Sequence, residues 1–108
     1  MEKFDTEVIA MNLIANSGDA RSLAFRALEQ AKTGNYEEAE KLMEESNAAS
    51  VKAHRIQTEL LTSEAGGKVA EINVLLIHSQ DHLMTSILAQ ELIKEIIILH
   101  KEKVNGKE

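Results

Sequence analysis

Apolar residues recur at helical spacing along nearly the whole chain, and two short stretches interrupt them. At Lys32-Thr33-Gly34-Asn35 a glycine can take a left-handed conformation that ends one helix. Asn35, with Glu38 three residues on, can then open the next as a capping box. Adjacent glycines at Ala65-Gly66-Gly67-Lys68 make the second break. The pattern predicts three helices, at about 6–32, 36–63 and 69–101, without a proline to interrupt any of them. In the first, Val8, Ile9, Leu13, Leu23, Ala24, Ala27, Leu28 and Ala31 follow helical periodicity, and Asn16-Ser17-Gly18-Asp19 disturbs it. The second carries a narrow stripe of Ala39, Leu42, Met43, Ala49, Ala53, Ile56 and Leu60, beside a glutamate-rich solvated face.

The third segment differs. Val74-Leu75-Leu76-Ile77, Ile87-Leu88 and Ile96-Ile97-Ile98-Leu99 place apolar side chains around much of the helix circumference. A helix apolar on nearly all sides needs burial on nearly all sides, and two neighbours cannot supply it. The pattern therefore predicts a three-helix subunit whose third helix also packs against copies of itself. Stepping about 100° per residue puts Asp81 in the stripe of Val74, Ile77, Leu88, Leu92 and Leu99, the one best placed for self-association. Copies of that carboxylate would repel unless protonated, hydrogen-bonded or joined by a divalent cation, for which Mg²⁺ suits oxygen ligands.

Composition narrows the function classes. The 108 residues suffice for one domain, residues 1–108. The absence of cysteine excludes thiol chemistry and disulfides. A net charge of −6 with scattered lysines argues against nucleic-acid binding. The amino terminus lacks the basic region and apolar run of a secretion signal, and Ile96 to Leu99 is far too short to enter a membrane, so a cytoplasmic location is expected. Lys101 to Lys107, interleaved with glutamate, reads as a solvated tail.

Candidate chemistry concentrates at Ile77-His78-Ser79-Gln80-Asp81-His82-Leu83-Met84, where two histidines one turn apart flank a carboxylate. A histidine at a subunit edge can be a base, a metal ligand or a covalent carrier. The pair with its intervening acid is a weak zinc-like signal, short of ligands. His54, with Gln57 one turn on, can approach from the second helix, while His100 reads as incidental. From the residues alone, an oligomeric helical adaptor and a small metal-binding helical protein stay open beside a carrier.

His78-Ser79-Gln80-Asp81-His82-Leu83-Met84-Thr85, Gly18-Asp19-Ala20-Arg21-Ser22-Leu23-Ala24 and Ala53-His54-Arg55-Ile56-Gln57-Thr58-Glu59-Leu60 together resemble the IIA component of the lactose/cellobiose class of the bacterial phosphoenolpyruvate-dependent sugar phosphotransferase system. The likeness runs from about Thr6 to Leu99. It implies an all-α, antiparallel, spectrin-repeat-like three-helix bundle assembled as a homotrimer, with the first helix running through Gly18. It implies that His78 is the phosphoryl acceptor, as a tele-phosphohistidine, loaded from HPr and unloaded onto a cysteine of a IIB component coupled to membrane IIC. His82, His54, Gln57 and Gln80 become candidates to support the phosphoryl group. Asp81, one from each of three subunits, is expected to hold a divalent cation, Mg²⁺, at the trimer axis. Sugar recognition belongs to the membrane component, so no direct sugar contact is expected, and the sugar is not legible in this chain.

Overall fold

The computed structural model describes residues 6–67 and 72–106, and every element among them is helical: α1 (Thr6–Lys32), α2 (Tyr36–Ala65) and α3 (Val74–Asn105). The helices run up, down and up, so α2 is antiparallel to both others. α1 lies between its neighbours and packs closely along each, whereas α2 and α3 meet far less. Side-chain size explains this arrangement. Ala10, Ala20, Ala24, Ala27 and Ala31 on α1 are essentially fully buried and bring little bulk, so two helices can approach the same rod. Buried serines close the remaining gaps: Ser46 Oγ donates to the Ala20 carbonyl at 2.6 Å, and Ser86 Oγ donates to the Ser17 carbonyl at 2.7 Å. Larger residues fill the core at three levels, centred on Leu60 and Leu76, on Leu13, Ala53 and Leu83, and on Leu42 among Ala27, Ala31 and Ala39.

Helix α1 passes through Gly18 without a break, with the bounds the sequence predicts. The first turn uses Gly34 at φ +85°, a conformation that favours glycine. The expected capping box does not form. Asn35 Nδ2 instead donates to Gln30 Oε1 at 3.0 Å, tying the loop back to α1, and leaves the start of α2 without a side-chain cap. The second turn places Gly67 at φ +99°. α2 extends to Ala65, two residues beyond expectation.

The start of α3 is corrected more substantially. Val69, Ala70 and Glu71 lie outside the described residues, Ile72 is not helical, and the helix opens at Val74. Asn73 sets that boundary: its extended backbone leaves the side chain free to accept the Leu76 N–H at 2.8 Å. At its other end α3 continues past Lys101 to Asn105, with exposed side chains along its last turn.

His100 is not incidental. Its Nδ1 lies 2.8 Å from Tyr36 Oη, and Lys101 Nζ sits 5.6 Å from the centre of the same phenol ring. These contacts join the last turns of α3 to the first turn of α2, where the two helices otherwise touch little. Tyr36→Phe removes that hydrogen bond while keeping the ring. A loss of about 1 kcal/mol, or about 5 °C in Tm at fixed protein concentration, is expected in a thermal melt.

Candidate functional site

The long axis of α3 separates its residues into three strips. Leu76, Ser79, Leu83, Ser86 and Ile93 face inward and are buried. On the opposite side Val74, Ile77, Leu88, Leu92 and Leu99 are between 54% and 83% exposed. Such a contiguous row of large apolar side chains marks an interaction surface. Asp81 lies in this row, exposed, with no side-chain hydrogen bond or ion pair to any described residue. Only its main-chain carbonyl is engaged, accepting from Thr85 Oγ1 at 3.0 Å. Asp81 therefore does not hold His78.

The third strip borders α1 and carries the histidine pair. His78 is exposed, and its ring centre lies 5.7 Å from that of His82, with the planes at 74°. His78 makes no hydrogen bond to a described residue. Its ring is edge-on to a neighbour and open to solvent. His82 is half-buried because it leans over α1 at Gly18, where an added Cβ would lie 3.8 Å from His82 Cε1. His82 Nδ1 is buried without a partner among the described residues. Helix α1 thus seats the second histidine and leaves the first accessible.

His54 does not join the pair. It lines a groove between α2 and α3 with Val51, Ile87 and Gln90, on the other border of α3. Gln57 and Gln80 belong to that border as well. Gln90 Nε2 and Asn47 Oδ1, 3.5 Å apart, fix the antiparallel register of α2 on α3. Ten residues further along α2 and ten back along α3, Gln57 falls opposite Gln80. Gln57 Oε1, an acceptor, and Gln80 Nε2, a donor, are both buried without partners among the described residues. Within one chain the predicted supporting residues therefore divide, His82 beside His78 and His54, Gln57 and Gln80 across the helix.

Among the described residues no three His, Asp or Glu side chains of one chain are grouped to hold a metal ion. His78, Asp81 and His82 are on one helix but point around it rather than converge, so the zinc-like reading finds no support in a single chain. No described helix is long and apolar enough to cross a membrane.

Residues 8–101 match the family described as PTS system, Lactose/Cellobiose specific IIA subunit. The chain belongs to that family. It is a component of a phosphotransferase system of the chitobiose and lactose type. It is 48% identical over 101 residues to the N,N'-diacetylchitobiose-specific EIIA component of Escherichia coli strain K12, covering 94% of this chain and 87% of that protein. Its fold is similar to the crystal structure of the cellobiose-specific enzyme IIA from Bacillus anthracis, with a TM-score of 0.92 at 48% identity over 99% of this chain and 97% of that one. It is also similar to the IIA(chitobiose) chain solved with HPr, from the N,N'-diacetylchitobiose branch of the Escherichia coli phosphotransferase system. That match has a TM-score of 0.79 and 46% identity, over 92% of this chain and 96% of that one.

Sequence reasoning missed Ser17, fully buried on the turn of α1 that meets His82 and Ser86, with a hydroxyl unpartnered among the described residues. A signal for it was present: Ala10, Ser17, Ala24 and Ala31 recur every seven residues, which places Ser17 on the buried stripe of small residues.

Proposed function

We propose that this IIA chain is a phosphoryl carrier, with His78 accepting the phosphoryl group from phospho-HPr and passing it to a cysteine of its IIB component. The supporting observation is the accessible, unbonded imidazole of His78, held edge-on to a seated His82. Attack by Nε2 on phosphorus needs a lone pair there, so the proton of the neutral ring sits on Nδ1. As the phosphorus–Nε2 bond forms, the bond from phosphorus to the donor breaks, and the same exchange in reverse order loads the IIB thiolate. Such transfer depends on positioning and on steadying charge at the peripheral oxygens. No lysine or arginine lies between Lys68 and Lys94 on the carrier helix, so the adduct escapes a strong local cationic clamp and stays transferable. His82, its ring centre 5.7 Å from that of His78, is a protein group able to donate.

The working unit in this reading is a homotrimer built on the exposed stripe of α3. Three copies of Val74, Ile77, Leu88, Leu92 and Leu99 bury one another around an axis and bring three Asp81 carboxylates together. One unpartnered carboxylate per chain, set in an apolar row, suits that role. The three Asp81 side chains would hold a divalent cation, Mg²⁺ by their oxygen chemistry, which offsets their mutual repulsion. His54, Gln57 and Gln80 line the opposite border of α3, the side a neighbouring copy presents in a ring, and could reach the phosphoryl group from there. The carrier works in the cytoplasm, bound to proteins alone, in uptake of a β-linked disaccharide through IIC. The similar proteins are named for N,N'-diacetylchitobiose and cellobiose.

Reconstitution tests the reading. With phosphoenolpyruvate, enzyme I, HPr and the cognate IIB component, the IIB cysteine gains label only when this chain is present. Equal labelling of IIB in its absence would remove the carrier role.

A further inference from the structure

The seam between α1 and α3 contains two polar atoms, the Ser17 hydroxyl and His82 Nδ1, each buried and each without a partner among the described residues. Ser17 is fully buried and its Oγ meets no acceptor. His82 Nδ1 is likewise buried and unpaired. Leaving both unmet is costly in a closely packed interior, and most buried polar atoms find partners. The register of the two helices brings these two residues to the same level of the seam. Ser86, one turn after His82, donates its Oγ–H to the main-chain carbonyl of Ser17. Gly18, the residue after Ser17, passes under His82 Cε1, the ring carbon between its two nitrogens, and of those two Nδ1 is the buried one. The buried edge of His82 thus lies against the turn of α1 that carries Ser17.

We infer that Ser17 is a positioning residue for the phosphotransfer site, its hydroxyl donating to one buried water that donates in turn to His82 Nδ1. A site with a hydroxyl on one side and an imidazole nitrogen on the other suits such a water. The consequence is a fixed tautomer. A neutral imidazole carries one donor and one acceptor, so an accepting Nδ1 leaves the proton on Nε2. Nε2 is the His82 nitrogen not buried, on the ring set against His78. The Ser17 link therefore presents a single uncharged N–H beside the phosphoryl-bearing residue, and it prevents His82 from offering a lone pair to an anion. This role rests on the carrier reading; the link itself does not. Ser17 makes no contact with the phosphoryl group and forms no bond in the transfer.

The test uses the full-length unphosphorylated protein, labelled with ¹⁵N in its histidines. Long-range proton–nitrogen spectra are recorded at a pH where the imidazoles are neutral. His82 is expected in the Nε2–H form in the native protein and as a mixture of tautomers in Ser17→Ala, with His54 and His100 unchanged. Serine and alanine are close in volume, so the variant folds, as a matching circular-dichroism melt verifies. Acceptance from phospho-HPr is expected to fall about tenfold in Ser17→Ala, as for other substitutions that release an oriented ligand histidine. A native His82 protonated on Nδ1, or signals unmoved by Ser17→Ala in a protein that accepts phosphate normally, overturns the inference and leaves the carrier reading intact. A native protein that accepts no phosphoryl group overturns the positioning role together with that reading, whatever the nitrogen spectrum shows.

Discussion

In the proposed homotrimer the native chain is expected to sediment as a trimer, and a Leu88→Lys variant as a monomer at the same concentration. Leu88 lies in the middle of the exposed row on α3, between Asp81 and Leu92. Around the proposed threefold axis each copy of Leu88 would face the other two, and burying a leucine side chain is worth about 1.5 to 3 kcal/mol. Three ammonium groups in its place would be desolvated and would repel one another. The subunit itself loses little, because Leu88 is more than half exposed in the single chain. Helix content should therefore persist while association fails. Asp81→Leu, in the same row, has the opposite expectation. It removes like charge from the axis and extends the apolar stripe, and replacing buried charges with hydrophobic residues is often neutral or stabilising by about 1–4 kcal/mol. A trimer that survives Leu88→Lys, or an Asp81→Leu protein that sediments only as monomers, contradicts the axial placement of this row.

Most of the fold can be read from period and punctuation. The bounds of α1 follow from its apolar spacing, and Gly34 adopts the positive φ its place between two helices demands. The start of α3 was misplaced because Ala70 and Glu71 favour helix, and local preference cannot show that Asn73 turns its side chain to Leu76 N–H. Asn35 illustrates the same limit. Its sequence context fits a capping box, yet Gln30 on the preceding helix offers a competing partner once the loop has folded. The exposed face of α3 was legible for a physical reason: an all-round apolar helix with two neighbours must leave a side uncovered.

The candidate site was legible only in part. Periodicity places His78 and His82 one turn apart, and the structure keeps them together. Periodicity along one helix says nothing about which neighbour covers which border, so His54 could be expected near the pair although it faces Ile87 across the other groove. Tyr36 and His100 are 64 residues apart, and their contact depends on the lengths and register of two antiparallel helices. The hydroxyl of Ser17 was obscured differently. Next to Gly18 it resembled a helix break, whereas it continues the seven-residue recurrence of small residues that lets three helices pack tightly.

Replacing His78 with alanine is expected to end phosphoryl acceptance altogether. An in-line transfer needs a nucleophile at the reacting centre, and no neighbouring residue duplicates this one. His82 is one turn away, but its Nδ1 is buried and its ring rests on α1 at Gly18. The exposed hydroxyl of Thr85 is engaged with the main-chain carbonyls of Asp81 and His82. His82→Ala removes a donor and keeps the nucleophile, so it should slow acceptance by about tenfold to a hundredfold without abolishing it. The contrast between complete and partial loss separates the acceptor from its support.

Intact-mass measurement after incubation with phosphoenolpyruvate, enzyme I and HPr tests that assignment most directly, with the native chain, His78→Ala and His82→Ala run side by side. One acid-labile phosphoryl group per chain on the native protein and on His82→Ala, and none on His78→Ala, is the predicted result. Label retained by His78→Ala would move the acceptor to another residue, and an unlabelled but folded and oligomeric native protein would contradict the carrier function and favour a helical adaptor.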